Sequence, residues 1–290
     1  MSRFIGSFFL KKANVIFLAI KKRGDKVKCL SIDLDGTLLN DKKEISEENK
    51  RAIFHAKKQG IEVVINTGRS MRQIEKIPDV FSLNCPLFAM NGTILYSEKK
   101  EVLKEISLPH HVYEQVIFLL KKWNVGMIVH TNVGVFPDHW GAIKSLNNEG
   151  KIKKMFEAYD YLELLEKKNI LFYKIVVILT EETKKEIKEI LHKQKEINVT
   201  ATKRDNLEIN CREAEKGKAI LMYAKLKKVV YDKIYAIGDN ENDLPQFSVA
   251  TTSIVMENAE DEIKKHADIQ TLSNNEHGVA YAIENYIVKK

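Results

Sequence analysis

From Val27 onward, short apolar runs alternate with stretches whose apolar positions recur at helical spacing. That rhythm is expected of strands buried on both faces with helices laid over them, the arrangement of a parallel α/β sheet. Val27–Ile32 is the first strand and ends at Asp33. A helix is predicted over Ser46–Gln59, with Ser46 as N-cap, Asn49 at the third helical position and Gly60 at the stop. Glu62–Asn66 is the second strand and runs into Thr67-Gly68-Arg69. After a short helix near Met71–Ile77, a third strand over Pro86–Met90 ends at Asn91-Gly92.

Beyond Asn91 the pattern changes. Leu95-Tyr96 with Val102-Leu103, Gly126–His130 with Gly134–Phe136, and Val199–Thr202 with Leu207–Cys211 read as hairpins. Helices are predicted at His110–Trp123, within Gly141–Glu166 and at Glu181–Lys195, and a long strand over Asn169–Leu179. Helices with hairpins imply an antiparallel sheet covered by helices, hence a second domain inserted into the first. From Lys216 the α/β rhythm resumes. Gly217–Lys227 is a helix and Lys233–Ile237 a strand ending at Gly238-Asp239. A helix near Asp243–Phe247, a strand over Ser253–Met256 and helices near Ala259–His266 and His277–Val288 complete the chain. The expected class is α/β, a Rossmann-like parallel-sheet core over residues 27–107 and 212–290 with an inserted α+β cap over 108–211.

Composition adds little to that picture, and charge changes it in one place. The 290 residues are 44% hydrophobic and 30% charged, enough to bury one large core or two modest ones. The formal charge of +7 sits wholly in residues 1–30, which hold eight basic groups and the single acid Asp25. The body of the chain is neutral, so no nucleic-acid footprint is expected on it. The three cysteines, Cys29, Cys85 and Cys211, have no metal-type spacing and fit a reducing, cytoplasmic compartment. Residues 1–26 are basic with two short apolar patches, each well below the ~20 residues that span a bilayer. They read either as an organelle presequence or as an extension packed loosely on the fold.

The chemistry lies at the strand ends, where an open parallel sheet binds its ligands. Asp33 and Asp35, Thr67, Asn91 and Asp239 occupy those ends, with Asn242 and Asp243 just beyond. Carboxylates so crowded resist ionisation unless a cation joins them, and oxygen ligands of this kind suit Mg²⁺. Lys216, where the insert returns to the core, adds a positive charge. Positioning and charge cancellation are what phosphoryl transfer requires. Asp33 is the candidate nucleophile and Asp35 the candidate acid and base; Gly36 permits the bend between them and a close backbone approach. Thr67 can donate to a phosphoryl oxygen, and Gly68 lets the backbone come near.

Asp33-Leu34-Asp35-Gly36-Thr37-Leu38, Thr67-Gly68-Arg69, Lys216-Gly217 and Gly238-Asp239-Asn240-Glu241-Asn242-Asp243 resemble, in order, the four motifs of the haloacid dehalogenase-like superfamily. Asn91-Gly92 and Asn274-Asn275-Glu276-His277-Gly278-Val279-Ala280 resemble its Cof-type branch, whose type-two cap lies where the long insert falls. The resemblance implies a phosphatase of sugar phosphates and related small metabolites, working through an aspartyl phosphate. Asp33 would be nucleophile and Mg²⁺ ligand, and Asp35 acid and base with its main-chain oxygen on the metal. Thr67 and Lys216 would hold the phosphoryl group. Asp239 would ligate the metal, supported by Asn242 and Asp243. Met256-Glu257-Asn258-Ala259 departs from the family, which has Gly where this chain has Glu257. Cap residues that could read the leaving group are His130, Asp138, His139, Trp140, Lys174, Arg204, Glu208 and Asn210, with Asn210 favoured. A phosphomutase or phosphotransferase using the same aspartyl phosphate, and a non-catalytic metabolite-binding module, are the alternatives. Nothing in the pattern sets an oligomeric state.

Overall fold

The computed structural model describes residues 27–123, 125–136, 160–201 and 205–288. In chain order the strands are β1 (Val27–Ile32), β2 (Ile61–Asn66), β3 (Leu87–Ala89), β4 (Ile94–Tyr96) and β5 (Val102–Glu105). There follow β6 (Gly126–Thr131), β7 (Gly134–Phe136), β8 (Phe172–Ile178), β9 (Ile197–Thr200) and β10 (Asn206–Cys211). The last are β11 (Tyr231–Gly238), β12 (Thr252–Val255) and β13 (Ile269–Gln270). They form an eight-stranded sheet, β13-β12-β11-β1-β2-β3-β4-β5, and a five-stranded sheet, β7-β6-β8-β10-β9.

The eight-stranded sheet is parallel from β13 to β3 and antiparallel through the β4–β5 hairpin. Successive side chains of a strand point to opposite faces, and here both faces are covered. Leu30 and Ile32 of β1, with Val63 and Ile65 of β2, pack under Ala52, Ile53 and Ala56 of the helix Glu47–Lys58 and under Val279 and Ile283. Cys29, Val64 and Ala236 face the other way, against Ala219, Ile220 and Tyr223 of the helix Lys216–Lys227. Ser46 caps the first of these helices by accepting the Asn49 N–H at 3.3 Å, as its position in the sequence predicts.

The five-stranded sheet is antiparallel throughout. One face carries Met127, Val129, Ile175, Val177, Leu207 and Ile209, buried under the helices His110–Lys121 and Glu181–Leu191. Its other face is polar at the centre, with His130, Lys174 and Asn210 in one cross-strand row and Glu208 in the next.

Several elements differ from the sequence expectation. The helix near Met71–Ile77 is two short ones, Met71–Ile74 and Pro78–Ser82, because Pro78 lacks the N–H to continue the first and starts the second. The helix expected at Ala259–His266 is a single turn, Asp261–Lys264. The last helix covers Gly278–Ala282 and loosens into a π-helical turn over Ile283–Ile287. The edge strand β13 is an addition; two residues carry no periodic signal. Residues 1–26, Asp138, His139, Trp140 and Arg204 lie outside the described residues.

Candidate active site

Asp33 leaves the end of β1 with its N–H donated to Ile237 O at 3.0 Å, an extra rung on the β1–β11 ladder that holds the residue firmly. Its carboxylate is buried and accepts from Lys216 Nζ at 2.5 Å. Lys216 opens its helix with no exposed surface and also donates to Asp243 Oδ1 at 2.6 Å. The residue that opens the helix after β10 thus bridges carboxylates from the loops that follow β1 and β11.

Asp243 is the most completely held of the acids. Its Oδ1 also accepts from Gln246 Nε2 at 2.7 Å, and its Oδ2 accepts the N–H groups of Asp239 and Asn240, each at 3.0 Å. The Asp239 carboxylate accepts from Thr37 Oγ1 at 2.7 Å. Gly36, beside Thr37, sits at φ +75°, and a Cβ there would run into the Asp239 carboxylate. Only glycine lets the first loop approach the fourth this closely.

Asp33, Asp239 and Asp243 each present a carboxylate oxygen, and these oxygens all lie within 4.8 Å of one another. Burial drives the Asp33 carboxyl well above its usual range, with Asp243 and Asp239 adding to the rise and Lys216 opposing it. Burial and then Asp243 raise Asp239 to about 7, against the Thr37 hydrogen bond and Lys216. For Lys216, burial disfavours the ammonium, but the attraction of Asp243 and Asp33 outweighs it and the group is held charged. Oxygen donors so close, and so reluctant to ionise side by side, have the chemistry of a hard divalent-cation site.

Asp35 stands apart from that cluster. Its carboxylate receives Arg69 Nε at 2.5 Å and Nη2 at 2.6 Å, and Lys43 Nζ at 3.0 Å. Burial pushes it up, but the bonds to Arg69 and Lys43 prevail and hold it at about 2. Arg69 belongs to the second motif, but its pairing with Asp35 was not foreseen, since only the fold brings their loops together. Thr67 is buried at the end of β2, where its Oγ1 accepts the Arg69 N–H at 3.2 Å.

Asn91, buried in the left-handed conformation at φ 58°, links the two sheets. Its Oδ1 accepts from Asn242 Nδ2 at 3.1 Å, and its Nδ2 donates to Glu208 Oε2 at 2.9 Å. Glu208 also accepts from Lys174 Nζ at 3.1 Å, and Lys174 donates to Gly68 O at 2.9 Å. A Cβ on Gly68 would stand 3.2 Å from Asn91 Oδ1 and 3.5 Å from Glu208 Oε2, so its absence leaves room at this junction. Asn242 therefore meets Asn91 rather than the three-carboxylate cluster.

On the polar face of the five-stranded sheet, Glu208 and Lys174 reach the strand-end loops directly. Asn210, favoured from sequence, donates to Met90 O, Thr93 Oγ1 and Tyr173 O at 3.3, 2.9 and 3.2 Å, binding the sheet to the β3–β4 turn. His130 is buried beside them, and burial followed by the Lys174 charge holds its ring neutral. Glu257, where the family has Gly, is exposed and has no positive φ, so the departure costs the backbone nothing. No helix among the described residues is long and apolar enough to cross a membrane.

The chain is similar to known phosphatases. A 5-amino-6-(5-phospho-D-ribitylamino)uracil phosphatase of Bacillus subtilis is 31% identical, over 90% of this chain and 98% of its own length. A second phosphatase of that name from the same organism is 27% identical over 93% of this chain and 100% of its own. A haloacid dehalogenase-like hydrolase structure from B. subtilis superposes with a TM-score of 0.77 at 26% identity, covering 90% of this chain and all of that one. With the haloacid dehalogenase-like hydrolase profile matching residues 30–283, the chain belongs to that family, in its Cof-type branch, and is an enzyme of the phosphatase class.

Proposed function

We propose that this enzyme is a Mg²⁺-dependent phosphatase of small phosphorylated metabolites, sugar phosphates foremost, acting through an aspartyl phosphate on Asp33. The observation that carries the reading is the buried constellation of Asp33, Lys216, Asp243 and Asp239, in which one ammonium faces three carboxylates. That charge imbalance asks for a cation. Asp33, Asp239 and Asp243 would hold it, with the Asp35 main-chain oxygen as a further donor; Asn242, turned to Asn91, would support the loop that carries Asp239. Bound Mg²⁺ would supply charge neutralisation of the phosphoryl oxygens.

In this reading the Asp33 carboxylate attacks phosphorus in line while the bond to the ester oxygen breaks. Thr67, Lys216 and the backbone around Gly36 and Gly68 bind the phosphoryl oxygens, and Asn91 holds its neighbours in register. Asp35 gives a proton to the departing oxygen, then takes one from the water that hydrolyses the aspartyl phosphate. Because Arg69 and Lys43 hold Asp35 ionised, the proton-donating step requires the pair to loosen, whereas the water-activating step uses Asp35 as it stands. Residues 27–107 and 212–290 form the catalytic core and 108–211 the cap, whose Lys174 and Glu208, with Asn210 behind them, face the leaving group.

A phosphate-release panel of sugar phosphates, nucleotides and cofactor phosphates with Mg²⁺ tests the reading. Wild type should release phosphate from small esters. Chelator should abolish release, and Asp33→Ala should lose at least about a thousandfold in kcat, as removal of a nucleophile does. Wild-type rates in the Asp33 variant would sink the mechanism, and a rearranged phosphosugar without free phosphate would make the enzyme a mutase.

A further inference from the structure

The turn that carries Asp35 is gripped from behind by the last part of the chain. Asn258, beyond the end of β12, donates Nδ2 to Gly36 O at 2.9 Å, and its Oδ1 accepts the Asn274 N–H at 2.9 Å. The buried Asn274 donates its own Nδ2 to Leu39 O at 3.0 Å and to Asp41 Oδ1 at 3.2 Å. Asn275 and Asp41 then close a reciprocal pair, Nδ2 to Oδ2 at 3.0 Å and Asp41 N–H to Asn275 Oδ1 at 3.1 Å. Each asparagine donates its Nδ2 to one loop, residues 36–41.

Within that loop, Leu38 and Leu39 donate their N–H groups to Asp33 O and Leu34 O at 3.2 and 2.8 Å. These bonds bend the chain but leave open where the bend sits over the crevice. Gly36 is the free joint, at φ +75°, and the carbonyl of that residue is the one Asn258 holds. Asp35 is the neighbour of this joint, and a group that transfers protons must be held to well under an ångström.

We propose that Asn258 and Asn274 are positioning residues for the acid–base step, fixing the Gly36 joint so that Asp35 meets the leaving-group oxygen. The proposal rests on the phosphatase reading above. Neither hydrogen bond of Asn258 goes to the side chain of Asp33, Thr67 or Lys216, and on Gly36 it takes the carbonyl, not an N–H that would meet a phosphoryl oxygen, so attack on phosphorus and phosphoryl binding depend on it least. A planar amide is needed because one end must donate and the other accept.

Leaving-group dependence separates this role from a merely structural one. p-Nitrophenyl phosphate departs without a proton, whereas an alkyl ester such as glucose 6-phosphate needs one. In Asn258→Ala, kcat/KM on the alkyl ester, which reads the steps through departure of the leaving group, should fall by about tenfold or more, within the reach of general acid catalysis, while that on the aryl ester changes by less than about threefold. Where hydrolysis of the aspartyl phosphate limits turnover, kcat should fall alike on both, because that step also uses Asp35. Asn258→Asp, which keeps the acceptor and loses the donor, and Asn274→Asp, which loses the donor to Leu39, should show the same split. Amide hydrogen exchange at Leu38 and Leu39 should quicken in these variants by more than any fall in Tm accounts for. Equal losses of kcat/KM on both esters, or unaltered exchange, would overturn the proposal and leave the phosphatase reading intact. A wild-type chain inert on both esters would overturn that reading and this role together.

Discussion

Asp239 shows at the level of one residue what the cluster costs the fold. Its carboxyl moves from 3.8 to about 7 because it is buried beside Asp243. Between those values the folded chain keeps a proton that the unfolded chain has lost, so stability falls as pH rises through that window. A bound cation removes the repulsion. In chelator, Tm should therefore drop from pH 5 to pH 8, and added Mg²⁺ should raise Tm more at pH 8 than at pH 5. Asp239→Asn should flatten both trends; a Mg²⁺ shift independent of pH would count against the site. The acids themselves were legible because they stand at ends of apolar runs. Their partners were not: Thr37, Arg69 and Gln246 act on carboxylates that only the sheet order brings near.

Among the elements, β8 and β10 have the most to answer for. Their Lys174 and Glu208 form an ion pair with side chains only 3% and 9% exposed, tied to Gly68 and Asn91 across the two sheets. Removing one member leaves a buried charge alone, which costs far more than the pair contributes. Lys174→Met should lose about 3 kcal/mol in urea unfolding, and Lys174→Met with Glu208→Leu should recover much of it. If the double variant is no better than the single, the pair is not coupled as its geometry states. Alternation along β10 puts Glu208 and Asn210 on one face. Which of the two reaches the strand-end loops depends on how that sheet sits over the core, so Asn210, bound to Met90 O, Thr93 Oγ1 and Tyr173 O, was favoured before Glu208. Short elements escaped for a different reason: the pair of residues in β13 and the turns after Pro78 and Ala282 are too brief for periodicity to register.

For the whole molecule, the five-stranded sheet lies with its polar face on the strand-end loops, leaving Lys174 and Glu208 buried. On the proposed function, that roof would admit a small ester and exclude a bulky one. Phosphate release from a folded phosphoserine protein should be undetectable in the time that exhausts a small phosphate ester; comparable rates on both would mean that the roof does not screen substrates. The sequence by itself determined every strand but β13, most of the helices among the described residues, and the acids at the strand ends. Those follow from local chemistry: apolar periodicity, caps, and carboxylates that follow buried runs. Tertiary structure alone decided which carboxylates crowd together, that Arg69 and Lys43 hold Asp35, and that Asn258 and Asn274 grip the loop beside it. Such contacts join residues far apart in the chain, and only the packing of helices on both faces of one twisted sheet sets their distances. Asp33 was visible as an acid at the end of a strand; the fold surrounded it with one ammonium and two more carboxylates.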